Sequence, residues 1–231
     1  MYQQSVSPYS SEYDEGLRKF MLSVFNNMAV GLAVGAFVAY FVGSSPALLQ
    51  LFFGGPQKWA VIFAPLAFVL FMSFKINSMS VFAATVAFFV FAAVMGLSLS
   101  AIFAVFTAAS IANAFFSAAA MFGAMSLYGY TTKRDLTKVG SFLIMGAMGI
   151  LFASIINLFF QSPALTFVIS CIAIVVFAGL TAWDVQNLRN LYYELEGDDR
   201  ERAGVMGALS LYLNFVNIFT SLLQLFGERK E

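Results

Sequence analysis

The chain has 231 residues, of which 61% are hydrophobic and only 10% charged, with a mean hydropathy of +0.85; an ordinary soluble domain is excluded. Zero net charge and a pI near 6.3 argue against nucleic acid or an acidic-lipid anchor as the main partner. With no histidine anywhere, an HExxH metal centre, a Ser–His dyad and a histidine proton relay are excluded as well.

A hydrocarbon core of about 30 Å needs about 20 apolar residues per helix. In chain order, Met1–Lys19 reads as a polar tail of mixed charge. The first apolar run, Phe20–Gly43, is too long for a signal peptide and lacks a small-residue cleavage pattern, so it reads as a retained span. Within it, Gly31 and Gly35 form a GxxxG, read as helix packing rather than dimerisation. Trp59–Phe74 is the shortest span and carries Pro65, which predicts a kink. Ser80–Val105 and Ile111–Tyr130 follow, meeting at Phe106–Ser110 with no charge between them. Two full spans are the preferred count there, with a re-entrant pair as the alternative. Val139–Phe160, Ala164–Trp183 and Gly204–Phe226 complete seven, leaving residues 227–231 as a short tail. The predicted class is an all-α polytopic membrane protein with one transmembrane domain over residues 20–226 and the lipid bilayer as its first partner.

Basic residues in short loops set the orientation. With the N-terminus inside, the inner segments hold nine (Arg18, Lys19, Lys75, Lys133, Arg134, Lys138, Arg189, Arg200 and Arg202). The outer segments hold three (Lys58, Arg229 and Lys230). The N-terminus is therefore expected in the cytoplasm and the C-terminus outside.

Two features carry chemistry. Asp184 is the one acid attached to a predominantly apolar run, at the end of Pro163–Trp183. An ionisable group at that depth faces a bundle interior, water or a partner charge, unless it marks the place where the helix leaves lipid. In the last span, Gly207, Ser210, Asn214, Asn217, Ser221 and Gln224 recur at steps of 3, 4, 3, 4 and 3. At about 100° per residue they share one face. Unpaired amides in hydrocarbon cost several kcal/mol, so this helix is expected at the centre of the bundle. Its stripe either lines a wet path, the preferred reading, or bonds helices together. Asn113 and Asn157 are expected to hydrogen-bond between helices.

Lys75 ends the second span on the side of Asp184, where it can pair with a carboxylate or reach lipid phosphates. The acidic run Glu194–Glu201 reads as a solvated loop without calcium-loop spacing. Cys171 stands alone, so neither a disulfide nor a cysteine metal site is expected. GxSxG, P-loop and dinucleotide motifs do not occur, and no second acid lies within a span. The chain is not expected to be an enzyme, to hold a metal or to need a cofactor.

Three strings resemble the bacterial branch of the Bax inhibitor-1 family, the transmembrane Bax inhibitor motif proteins. They are Met121-Phe-Gly-Ala-Met-Ser-Leu-Tyr-Gly-Tyr-Thr-Thr-Lys-Arg-Asp135, Gly179-Leu-Thr-Ala-Trp-Asp-Val-Gln186 and Gly207-Ala-Leu-Ser-Leu-Tyr-Leu-Asn-Phe-Val-Asn-Ile-Phe219. The resemblance covers essentially all seven spans. It implies six helices around a central seventh and a pH-sensitive calcium leak channel in the bacterial inner membrane. It also implies a pair of aspartates at the cytosolic end of the pore, latched by a basic residue at the end of the second helix. By position, Asp184 matches the sixth-helix aspartate and Lys75 is the nearest basic residue for the latch. The seventh-helix aspartate is replaced by Asn214 in Tyr212-Leu-Asn-Phe215, a departure from the family pattern. Two carboxylates in one site titrate as a coupled pair, and one carboxylate beside an amide does not. A second reading implied by some relatives is a protein that restrains a membrane-bound protease, with Met1–Lys19 as the contact segment. A proton-coupled carrier using Asp184 is a third.

Overall fold

The computed structural model describes residues 8–230, with side chains from Glu15 onward. Nine α-helices and one 3₁₀ turn are present among the described residues. They are α1 (Pro8–Gly43), α2 (Pro46–Phe53), α3 (Lys58–Lys75), the 3₁₀ turn Ile76–Ser78, α4 (Val81–Leu99) and α5 (Ile102–Val105). The chain continues with α6 (Ala108–Thr131), α7 (Thr137–Phe160), α8 (Pro163–Glu194) and α9 (Gly197–Phe226).

Seven stretches are long and apolar enough to cross a bilayer, and they coincide with the seven expected spans; α4 and α5 together form the third. Several starts are set locally by side chains that satisfy otherwise unpaired N–H groups. Ser80 accepts from Ala83, Thr107 from Ser110 and Ser162 from Leu165, with Pro163 in the first turn of α8. Pro65 is buried inside α3, which continues through it. The short α2, capped by Ser45 and started by Pro46, has no buried residue.

Helix ends differ from the sequence reading in three places. α1 begins at Pro8, so the stretch expected as tail is helical from there, and Leu17 is buried; Met1–Ser7 lie outside the described residues. α8 runs ten residues past Asp184, to Glu194, and α9 begins at Gly197. The solvated loop expected over Glu194–Glu201 is thus two helix ends and a two-residue link. Hydropathy falls after Trp183, but Val185, Leu188 and Tyr192 keep the 3.6-residue period and are buried.

The last helix is the centre. In its most apolar window 72% of residues are buried, against 6–39% for the other six spans. It packs principally on α8, α1, α6 and α4, while α3 lies outside against α4 and α7 outside against α8. The other six helices surround it in this way, four in contact and two one layer out. Tyr212 of α9 sits between the rings of Phe88 and Phe91, and Phe215 meets Phe115 and Phe122. Small residues permit the closest crossings. Gly96 of α4 lies against the backbone of Gly35 in α1, and Gly129 of α6 against the backbone of Ala182 in α8. Gly31 faces Phe88 and Gly35 faces the Tyr212 hydroxyl, so the GxxxG is a packing surface within the bundle.

Phe106–Ser110 is not a re-entrant turn; α5 ends there and α6 begins. The C-terminal segment lies beside this junction. Thr107 N–H donates to Glu228 O at 3.0 Å, Lys230 N–H to Val105 O at 2.9 Å and Glu228 N–H to Ser110 Oγ at 2.9 Å.

Candidate functional site

α8 and α9 run antiparallel across a two-residue link, so residues equally far from that link face each other. Leu188 meets Gly207, Asp184 meets Asn214, and Ser170 meets Gln224. Because the link lies beyond Glu194, Asp184 is not a helix end at the edge of lipid. It is one of the buried residues in the body of α8, at the level of Asn214. The Asn214 Nδ2 donates to Asp184 Oδ2 at 2.7 Å, and Asn214 is also buried. A buried carboxylate needs such a partner, and the amide is the only hydrogen-bond partner of its side chain among the described residues.

Lys75 is not brought to this pair. It ends α3, which packs against α4 rather than α8; the side chain is exposed, and its amino group forms no ion pair with a described residue. The link between the end of the second span and the central helix comes from the other direction. Arg202 of α9 donates to Met79 O at 3.2 Å and pairs with Asp199 at 2.5 Å.

Half of the stripe on α9 is a contact with α8. Gly207, Asn214 and Gln224 meet α8 directly. Ser221 is buried, Ser210 is half-buried, and Asn217 donates to Leu213 O of its own helix. Asn157 bonds between helices as expected, donating to Thr166 Oγ1 at 2.7 Å. Asn113 is exposed and lines a cavity. Cys171 is free and half-buried.

Gln186, one residue pair beyond Asp184, was not singled out by the sequence. It is buried, its Nε2 donates to Arg134 O at 2.8 Å, and its Oε1 accepts from Leu136 N–H at 2.8 Å. The side chain thus closes the α6–α7 connection onto α8. Arg189, one turn on, donates to Tyr130 O at 2.7 Å and satisfies a carbonyl at the end of α6. Asp135 in the same connection accepts from Thr137 N–H and Oγ1, and these bonds hold its carboxyl below its ordinary value.

A cavity of mixed polar and apolar lining lies at each end of the central helix. At the basic end, about 530 Å³ is bounded by Ser23, Asn27, Thr85, Arg200 and Glu201. At the other end, about 240 Å³ is bounded by Ser110, Asn113, Ser117 and Glu228. Between them α9 is closed over by Leu211, Tyr212, Phe215, Ile218 and Phe219, all buried. Among the described residues the arrangement offers a cavity at each end, a single buried carboxylate and an apolar layer between.

The chain matches the family model described as "Inhibitor of apoptosis-promoting Bax1" over residues 17–231. It is 43% identical over 219 residues to the inner membrane protein YbhL of Escherichia coli K12, covering 93% of this chain and 94% of that protein. It is also 43% identical over 229 residues to an uncharacterized protein of Caulobacter vibrioides, covering 94% and 92% of the two chains. A third relative, uncharacterized protein RP147 of Rickettsia prowazekii, is 41% identical over 221 residues, covering 95% and 93%.

Proposed function

Because the chain belongs to the Bax inhibitor-1 family, we propose that it is a cation channel of calcium-leak type, held closed in this conformation and modulated by pH through Asp184. The observation that carries this is the buried Asp184–Asn214 pair between α8 and the central helix, with a cavity of mixed lining at either end of that helix. A carboxylate retained inside a membrane bundle is a functional group by default. Its change of charge would alter the α8–α9 contact that closes the middle of the bundle. The reading includes no catalytic step, cofactor or bound metal; calcium is the transported ion.

The same reading places the protein in the bacterial inner membrane, as the name of its Escherichia coli relative says of that protein. The nine basic residues at one end of the bundle support a cytoplasmic N-terminus and a C-terminus outside.

Calcium entry into liposomes containing the purified protein, measured from about pH 5 to 8, tests the proposal. Flux above protein-free liposomes that changes with pH in the natural chain and is altered by Asp184→Asn supports it. Absence of flux across that range overturns it in favour of a protein that restrains a membrane-bound protease. Deleting Met1–Ser7 then tests that second reading without cutting into α1, since the tail was its expected contact segment.

A further inference from the structure

α1 and α6 face one another across the bundle surface without packing along their length. The gap is divided by the edge-on rings of Phe25 and Phe122, whose centroids are 6.5 Å apart. Beyond the rings, away from the basic end, lies a groove of about 390 Å³ lined almost wholly by apolar side chains such as Leu32, Ile111 and Phe116. On the basic side lies a cleft of about 460 Å³, bounded by Arg18, Met21, Leu22 and Phe25 of α1 and by Ser126 and Tyr130 of α6.

Two independent observations give this cleft a ligand chemistry. Ser126 Oγ is the one buried side-chain oxygen or nitrogen among the described residues with no hydrogen-bond partner, on a residue only 8% exposed. A buried hydroxyl in that state costs about 1–3 kcal/mol unless something supplies the missing bond. At the mouth, Arg18 forms no ion pair with a described residue, because Glu15, the acid beside it, is taken by Lys19 at 2.9 Å. The flanks, Leu22 and Leu127, are 56% and 65% exposed, so the cleft opens sideways to lipid.

The order of groups with depth then selects the occupant. Tyr130 lies one helical turn nearer the end of α6 than Ser126, so the hydroxyl of Ser126 sits about 6 Å deeper. Phe25 lies seven residues beyond Arg18, about 10 Å deeper. Cation, hydroxyl, then rings and aliphatic side chains is the sequence phosphate, glycerol ester, acyl chain. We propose that the α1–α6 cleft is a binding site for one anionic phospholipid of the leaflet at the basic end. Arg18 takes the phosphate, Ser126 donates to an ester carbonyl, and the acyl chain lies over Met21, Leu22 and Phe25. Zero net charge does not oppose this, because the charges separate along the bundle and recognition is local.

Native mass spectrometry of the detergent-solubilised full chain tests it, with phosphatidylglycerol and phosphatidylcholine of identical chains as probes. The expected result is one phosphatidylglycerol adduct retained in preference to phosphatidylcholine. Arg18→Gln lowers that preference about fivefold, the worth of one basic residue at a charged lipid surface. Lys133→Gln, an exposed charge at the same end but outside the cleft, leaves it unchanged. Ser126→Ala weakens retention of both lipids without changing their ratio, since the ester is common to both. Equal retention of the two lipids by the natural chain overturns the proposal. So does an equal fall for Arg18→Gln and Lys133→Gln, which would show only a diffuse basic surface. A dimer mass that excludes lipid would give the cleft to a second copy and overturn it too.

Discussion

Asn214 reaches Asp184 with a 2.7 Å hydrogen bond across two antiparallel helices, thirty residues apart in sequence and level in the bundle. Each satisfies a group that the other would leave unpaired in an interior closed by Leu211, Phe215 and Ile218. Asn214→Asp replaces the donor with a second carboxylate at the same separation. Two such groups share a proton and titrate as a coupled pair. The variant is expected to show calcium flux that changes over a narrower pH window than the natural chain, read in liposomes from about pH 5 to 8. Superimposable curves for the two proteins would remove Asp184–Asn214 from gating.

Gln186 holds two backbone groups of the α6–α7 connection at once. Gln186→Leu keeps the volume roughly and removes both bonds, leaving the Leu136 N–H and the Arg134 carbonyl to find water. The cost is about 1–3 kcal/mol, expected as faster hydrogen exchange confined to residues 132–137. Exchange unchanged there would show that the connection is held by Arg189 and Asp135 instead.

Gly96 lies against Gly35 so closely that an added Cβ would clash with the Gly35 carbonyl oxygen. Backbone cannot step aside as a side-chain tip can, so Gly96→Ala must push α1 and α4 apart. A loss of about 1–3 kcal/mol is expected, the usual cost of overpacking. Gly149→Ala, where nothing lies within 4 Å, is the matched control and should leave thermal stability unchanged. Equal melting of the two variants would refute the close crossing.

Asp135 offers a pH effect outside the membrane-spanning helices. Its folded value is depressed by the Thr137 bonds, so its contribution is present above the ordinary value of 3.8 and is lost as pH falls through the lower folded value. Acidification below about 4 should loosen the start of α7 in the natural chain. Asp135→Asn should abolish that pH dependence, measured by local hydrogen exchange of residues 137–140.

The seven spans were legible because length and hydropathy alone mark a helix that must cross lipid. The central place of α9 was legible too, since a polar face on an apolar helix has to be covered. The ends of α8 and α9 were not. Beyond Trp183 the signal changes from continuous hydropathy to the periodic Val185, Leu188 and Tyr192, and a reading tuned to lipid takes the polar remainder for a loop. That single boundary hid Gln186 and left Asp184 looking like the end of its span. Lys75 was misplaced in space for a different reason: its position along the chain says which end of the bundle it occupies, but only packing says that α3 stands against α4.

Of the seven spans, the one that fills the middle of the bundle is made after the other six. Until Gly197–Phe226 emerges, α1, α4, α6 and α8 have no common partner for the faces they later bury on it. The six earlier helices can each enter the bilayer, because insertion and packing are separate stages. Their mutual arrangement, however, must stay loose enough to admit a thirty-residue helix between them. The central contacts therefore form only once that helix has joined the other six spans. A chain cut short before Gly197 would be inserted with the inner faces of α1, α4, α6 and α8 left uncovered.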